Sequence, residues 1–298
     1  MVERARRLGA GRRAILAAPY LWLVAFFLVP LALVFKISLS RSAIAQPPYV
    51  PTFDFGEGLS AILDKARTFG LDAYRGLFAD PLYFEAYLTS LALAGLATAI
   101  AVAIAYPIAL AIARSDKRLR PVLIGLAVAP FWTSFLIRVY AWIMILKDEG
   151  LFNRALMALG IIDAPLPILA TNAAVTIGMV YSYLPFVVLP IYAALEAQDE
   201  SLREAAADLG AAPLATFLTV TLPLSATGVV AGALLMFIPA VGEFVIPDLL
   251  GGSDTMMIGR VMWNDFFENR DWPAASAGAI VLIALLVGPI VWIERRRT

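Results

Sequence analysis

The stretch EAAADLGAAPLATFLTVTLP, Glu204–Pro223, lies between two long apolar runs and is closely specified for a loop. Ser201-x-x-Glu204 reads as a capping box: the hydroxyl accepts from the third amide of a helix, and Glu204 reaches back to the cap amide. Leu202, Ala205, Ala206 and Leu209 follow at i, i+3, i+4 and i+7, a narrow face of mostly small residues. Glu200, Glu204 and Asp208 form an acidic row beside it. Gly210 stands where a C′ residue ends a helix. Pro213 suits the first position of another, and Leu222-Pro223 leads into the next apolar run. The expectation over 199–221 is therefore helix, elbow and second short helix, all outside a bilayer.

Composition explains why a bilayer enters the argument. The 298 residues are 61% hydrophobic, with a mean hydropathy of +0.82 and only 15% charged residues. Soluble domains carry about 25% charged residues, so a membrane class is the first expectation. Absence of Cys and His excludes disulfides, thiolate chemistry, the usual zinc ligands and His-based acid/base catalysis. No catalytic or metal-ligating set is expected. A formal net charge of zero gives no pointer to nucleic acid.

A bilayer core of about 30 Å needs about 20 apolar residues in a helix. Six runs qualify: 14–38, 86–113, 121–146 (interrupted by Arg138), 171–195, 222–247 and 273–293. Each contains proline, tolerated in a bundle because neighbouring helices and polar side chains satisfy the freed carbonyls. The first run follows the basic RARRLGAGRR and exceeds the apolar core of a signal peptide, about 7–15 residues, so it reads as an uncleaved helix after a short segment 1–13. The N-terminal arginines, RSDKRLR (114–120) and the C-terminal ERRRT fall on one side of six spans. The positive-inside rule makes that side, with both termini, cytoplasmic. The outer loops carry fourteen acidic and eight basic residues, so the entrance favours cations, unless this is only the positive-inside bias. Short interfacial helices are expected at LSAILDKA (59–66), LDAYRGLFAD (71–80) and LFNRALMALG (151–160).

Glu204-Ala205-Ala206, three residues, Gly210, nine residues, then Val220-x-Leu222-Pro223 is similar to the EAA loop of ABC importer permeases, with Val220 where Ile is usual. PFWTSFLIRVYAW (130–142), VYSYLPFVVLPIYAALE (180–196), GEFVIPDLLGG (242–252) and MIGRVMWNDFFENRDWP (257–273) resemble the spermidine/putrescine permease group. The resemblance implies an all-α, six-helix, type I ABC importer permease with a cytoplasmic coupling helix, in the bacterial cytoplasmic (inner) membrane. It implies as partners a homologous second permease subunit, a cytoplasmic ABC ATPase dimer and an extracytoplasmic solute-binding protein, besides membrane lipids and a polyamine substrate. ATP and magnesium belong to the ATPase; no cofactor is expected on this chain, which has no G-x-x-x-x-G-K-[ST] run. Glu204, Ala205, Ala206, Gly210, Leu222 and Pro223 become the ATPase-coupling residues.

The solute is less defined: an opine, an amino-acid derivative or a metal chelate fits the same machine. A secondary transporter would carry inverted repeats and midplane charges, and neither is evident. An ionisable residue near the bilayer centre costs about 2.5–3.5 kcal/mol. At about 1.5 Å per residue, Arg138 lies roughly 25 Å above Pro121, and Glu243 roughly 30 Å above Pro223, both near the outer boundary. Arg138 shares a stripe with Phe131, Phe135 and Trp142 and reads as a structural charge or as the partner of Glu243. Glu243 and Asp248 are candidates to attract amines at the entrance. Trp132, Tyr181 and Tyr183 offer deeper aromatic faces, each attracting a cation by about 0.5–2 kcal/mol.

Overall fold

A computed structural model describes residues 16–52, 64–65 and 67–295. Segment 1–13, nearly all of LSAILDKA and the last two arginines lie outside the described residues. Two compact units are resolved, one from residues up to Tyr83 together with Val261 onward, the other Phe84–Arg260.

In the first unit, α1 (Leu16–Ser38) leads into a hairpin, β1 (Arg41–Ser42) and β2 (Tyr49–Val50). The helix α2 (Asp72–Ala79) forms within the expected LDAYRGLFAD. Tyr74 and Ser38 share a hydroxyl hydrogen bond of 2.8 Å that joins α2 to the end of α1. The long α3 starts at Pro81 and runs to Arg114.

In the second unit, Arg120–Val128 (α4) tightens into a 3₁₀ turn, Ala129–Trp132, before α5 (Phe135–Leu146). One helix was expected over 121–146; instead Arg120–Trp132 and Phe135–Ala158 meet at 87°. Pro130 removes an amide from the ladder, and Thr133 and Ser134 take extended conformations, with Ser134 starting α5. The 25 Å height inferred for Arg138 assumed a straight helix and does not hold. After α6 (Leu151–Ala158), fully buried Asn153 donates to the Lys147 and Leu166 carbonyls and accepts from the Leu166 amide, closing the loop.

The helix α7 (Asn172–Glu196) is capped by Thr171, whose hydroxyl accepts from the Ala174 amide. After α8 (Glu200–Asp208), Pro213–Val241 forms one helix, α9. Between α7 and α9, Gly228 and Gly232 form a small-x-x-x-small pair. A Cβ on Gly232 would lie 2.9 Å from the Val187 carbonyl oxygen, and one on Gly228 2.6 Å from that of Pro190. Lipid tails are as apolar as leucine, so such close backbone packing is what holds membrane helices together. Short α10 (Val245–Leu250) follows, then α11 (Ile258–Phe267) and α12 (Trp272–Arg295).

Within the first unit α12 packs on α1 and α2. There Tyr83 donates to Asp265 Oδ2 at 2.7 Å, and Trp272 stacks on Phe266 at 4.7 Å. Among the described residues five helices (α1, α3, α7, α9 and α12) are long and apolar enough to cross a membrane, six if the bent pair counts as one span.

Candidate coupling helix and solute path

The stretch around Glu204 folds as a helix ended by a tight elbow. Its cap differs from the expectation. Asp199, not Ser201, is the N-cap, and its Oδ1 accepts from the Ser201 amide at 3.0 Å. That hydrogen bond holds the Asp199 carboxyl below the usual carboxylate range. Aspartate caps as well as serine, and starting earlier adds Glu200 to the positive first turn, where a carboxylate is favourable. Glu200 pairs with Arg203 at 3.0 Å. Glu204 therefore closes no capping box; it is exposed, with no hydrogen-bond or ion-pair partner among the described residues.

At the other end Gly210 has φ +82°, a left-handed conformation that glycine adopts without Cβ strain. Its amide donates to Ala207 O at 2.8 Å, and the Ala211 amide to Ala206 O at 3.0 Å. These two bonds make a Schellman motif. Pro213 then opens α9 at its first position. No second short helix forms: the chain runs on through Leu222 and Pro223. A π turn, Phe217–Thr221, permits this, its last bond running from the Leu222 amide to Phe217 O. The wider turn shifts register just where the Pro223 ring would collide with a carbonyl four residues back. The apolar face of α8 stays uncovered: Ala205 is exposed, Ala206 half-buried and Leu209 89% exposed.

At the far end of α9, Glu243 occupies the joint to α10 and is 8% exposed. Its Oε1 accepts from the amides of Phe244 (3.1 Å), Val245 (2.9 Å) and Ile246 (3.4 Å), capping α10. Its Oε2 accepts from the Tyr183 hydroxyl. Arg138, also 8% exposed, donates Nη1 to Pro130 O and lies over Phe131 at 5.4 Å and Phe135 at 5.8 Å. It is thus the brace of the 87° bend and not the direct partner of Glu243. Rings connect the two: Tyr183 neighbours Phe186 at 6.2 Å, and Phe186 neighbours Phe131 at 5.0 Å.

The other candidates do not converge on Glu243. Asp248 pairs with Arg260 at 3.2 Å. Tyr181 meets Trp142 edge-on at 5.4 Å. Trp132, expected deep, is 81% exposed at the bend. The capping role of Glu243 was missed, although Glu followed by a short helix after a Gly break is its signal.

Five long apolar helices and one bent pair are the architecture of a membrane subunit, and its family and fold relatives place it with ABC importers. The crystal structure of a bacterial ABC transporter that imports the acidic polysaccharide alginate shares this fold, with a TM-score of 0.69 over 99% of this chain and 97% of that one, at 16% identity. The chain belongs to the binding-protein-dependent transport system inner membrane component family, which matches residues 95–295. It is 44% identical over 218 residues to the spermidine/putrescine transport system permease protein PotB of Escherichia coli (strain K12), covering 73% of this chain and 79% of that one. It is 39% identical over 270 residues to PotB of Haemophilus influenzae, covering 89% and 88%.

Proposed function

We propose that the chain moves polyamines, putrescine and spermidine, into the cytoplasm as one of two homologous permease subunits. The observation that carries this reading is the 39% identity to a spermidine/putrescine permease across 89% of the chain. Polyamine arrives on an extracytoplasmic binding protein. A cytoplasmic ATPase dimer, holding ATP and magnesium, drives alternating access, and both termini of this chain face that dimer. The uncovered face of α8, with Glu204, Ala205 and Ala206, docks on the ATPase; Gly210 sets the elbow, and Leu222 and Pro223 lie in the helix that carries the motion. Leu202 and Leu209, both exposed on the same face of α8 outside the apolar spans, support this role as an apolar contact for a partner.

Along the path, an amine competes with the Tyr183 hydroxyl for Glu243 Oε2, while Tyr181 and Trp132 offer aromatic faces. Asp248, balanced by Arg260, belongs to the outer surface. Co-reconstitution with the neighbouring ATPase, second permease and binding protein tests the proposal by uptake of labelled putrescine and spermidine. ATP-dependent uptake is expected. Uptake driven by an ion gradient without ATP overturns the importer mechanism; competition only by a non-amine solute overturns the cargo.

A further inference from the structure

A cleft lies between the foot of α3, the start of α4, the end of α7 and the first turn of α8. Four cations, Arg114, Lys117, Arg120 and Arg203, and three carboxylates, Glu196, Asp199 and Glu200, line it, an excess of one positive charge. Two of the cations are already neutralised, Arg120 by Glu196 at 3.2 Å and Arg203 by Glu200 at 3.0 Å. Arg114 and Lys117 have no ion-pair partner among the described residues. Thr221 also lines the cleft; it is 2% exposed, and its Oγ1 is buried without a hydrogen-bond partner. A buried hydroxyl left unpaired costs about 1–3 kcal/mol, a cost that an oxygen-bearing group bound against this wall would offset. Arg114 and Lys117, set against Asp199, whose Oδ1 is already engaged by the Ser201 amide, leave a net positive site that suits an anion with several oxygens.

We propose that this cleft binds a phosphate group, either the headgroup of an anionic phospholipid or free phosphate. The headgroup fits the surroundings better. A second cavity shares Leu110, Arg114, Glu200 and Arg203 with the first; beyond Glu204 its wall is Ala211, Leu214 and Phe217, apolar side chains against which an acyl chain can lie. The orientation proposed above places the cleft at the cytoplasmic leaflet, whose anionic lipids attract basic segments. Occupied, it clamps α8 against the foot of α3, so lipid composition sets how freely the coupling helix moves.

The test uses the assembled complex in nanodiscs of phosphatidylcholine with increasing phosphatidylglycerol, and separately in neutral detergent with inorganic phosphate. Native mass spectrometry counts retained lipid, and thermal unfolding reports binding. Saturable retention and stabilisation by phosphatidylglycerol are expected, weakening about fivefold for each cation removed in Arg114→Gln and Lys117→Gln. Thr221→Val, which keeps the shape, weakens binding too, whereas Arg118→Gln, outside the cleft, does not. Stabilisation by phosphate alone supports the site with a free anion as ligand. No saturable effect of either, or equal loss in Arg118→Gln, overturns it. The readouts need no transported solute, so failure of polyamine uptake leaves this result separate.

Discussion

Tyr183, in the middle of α7, donates its hydroxyl to Glu243, 60 residues further on, at the joint between α9 and α10. Removing it in Tyr183→Phe leaves Oε2 of a buried carboxylate without its donor, a loss of about 1–3 kcal/mol. Thermal unfolding in detergent is expected to show this, together with slower polyamine uptake. An unchanged melting temperature would remove the joint as a structural element.

Gly232→Val places side-chain atoms against the Val187 carbonyl. Overpacking of this kind costs about 1–3 kcal/mol, and lower yield of folded protein is expected. Gly95→Ala is the control, since a Cβ there meets nothing within 4 Å. It is neutral or stabilising by up to about 1 kcal/mol. Size-exclusion profiles and melting temperatures separate the two.

Amide exchange in α8 rises in Asp199→Ala and stays unchanged in Ser201→Ala, reversing the order a Ser201 capping box gives. The pH dependence has a definite sign. The folded Asp199 carboxyl is lowered, so the cap is present above the unfolded value, about 4. It is lost as pH falls through the lower folded value. Asp199→Ala abolishes that acid-side change.

In the assembled transporter, Gly210→Pro and Glu204→Lys insert normally but uncouple transport from ATP hydrolysis. Proline cannot take the positive φ at Gly210, nor donate the amide that now bonds Ala207 O. Lys replaces a carboxylate on the uncovered surface of α8. ATPase rates with and without loaded binding protein check this; ordinary stimulation in both variants contradicts the role given to α8.

The elbow was legible in sequence because Gly and Pro act locally: Gly210 and Pro213 sit at the turns they indicate. Five of the apolar runs contain helices long and apolar enough to span, legible because length and composition suffice, whereas the run 121–146 is broken at an 87° bend. Three features depended on partners distant in sequence or on competition between neighbours. Asp199 and Ser201 are both good caps, and the pattern alone favoured the wrong one. Pro223 reads as a helix boundary until a π turn absorbs it. Arg138 reads as a structural charge or as the partner of Glu243; its Nη1 goes to Pro130 O, while Glu243 takes the amides of α10 and the distant Tyr183 hydroxyl. The Gly228–Gly232 contact was readable only in principle, since many glycine pairs touch nothing.

The unbroken run of α9 gives the chain a rigid crank. Its 29 residues span about 43 Å. A tilt of about 10° at the foot sweeps the head sideways by roughly 7 Å over that length. The glycine seam packs α7 directly on α9, so α7, with Tyr183 bonded to Glu243, would follow such a tilt. In the proposed cycle, a small rotation at one face of the membrane would thereby become a displacement several ångströms wide at the other.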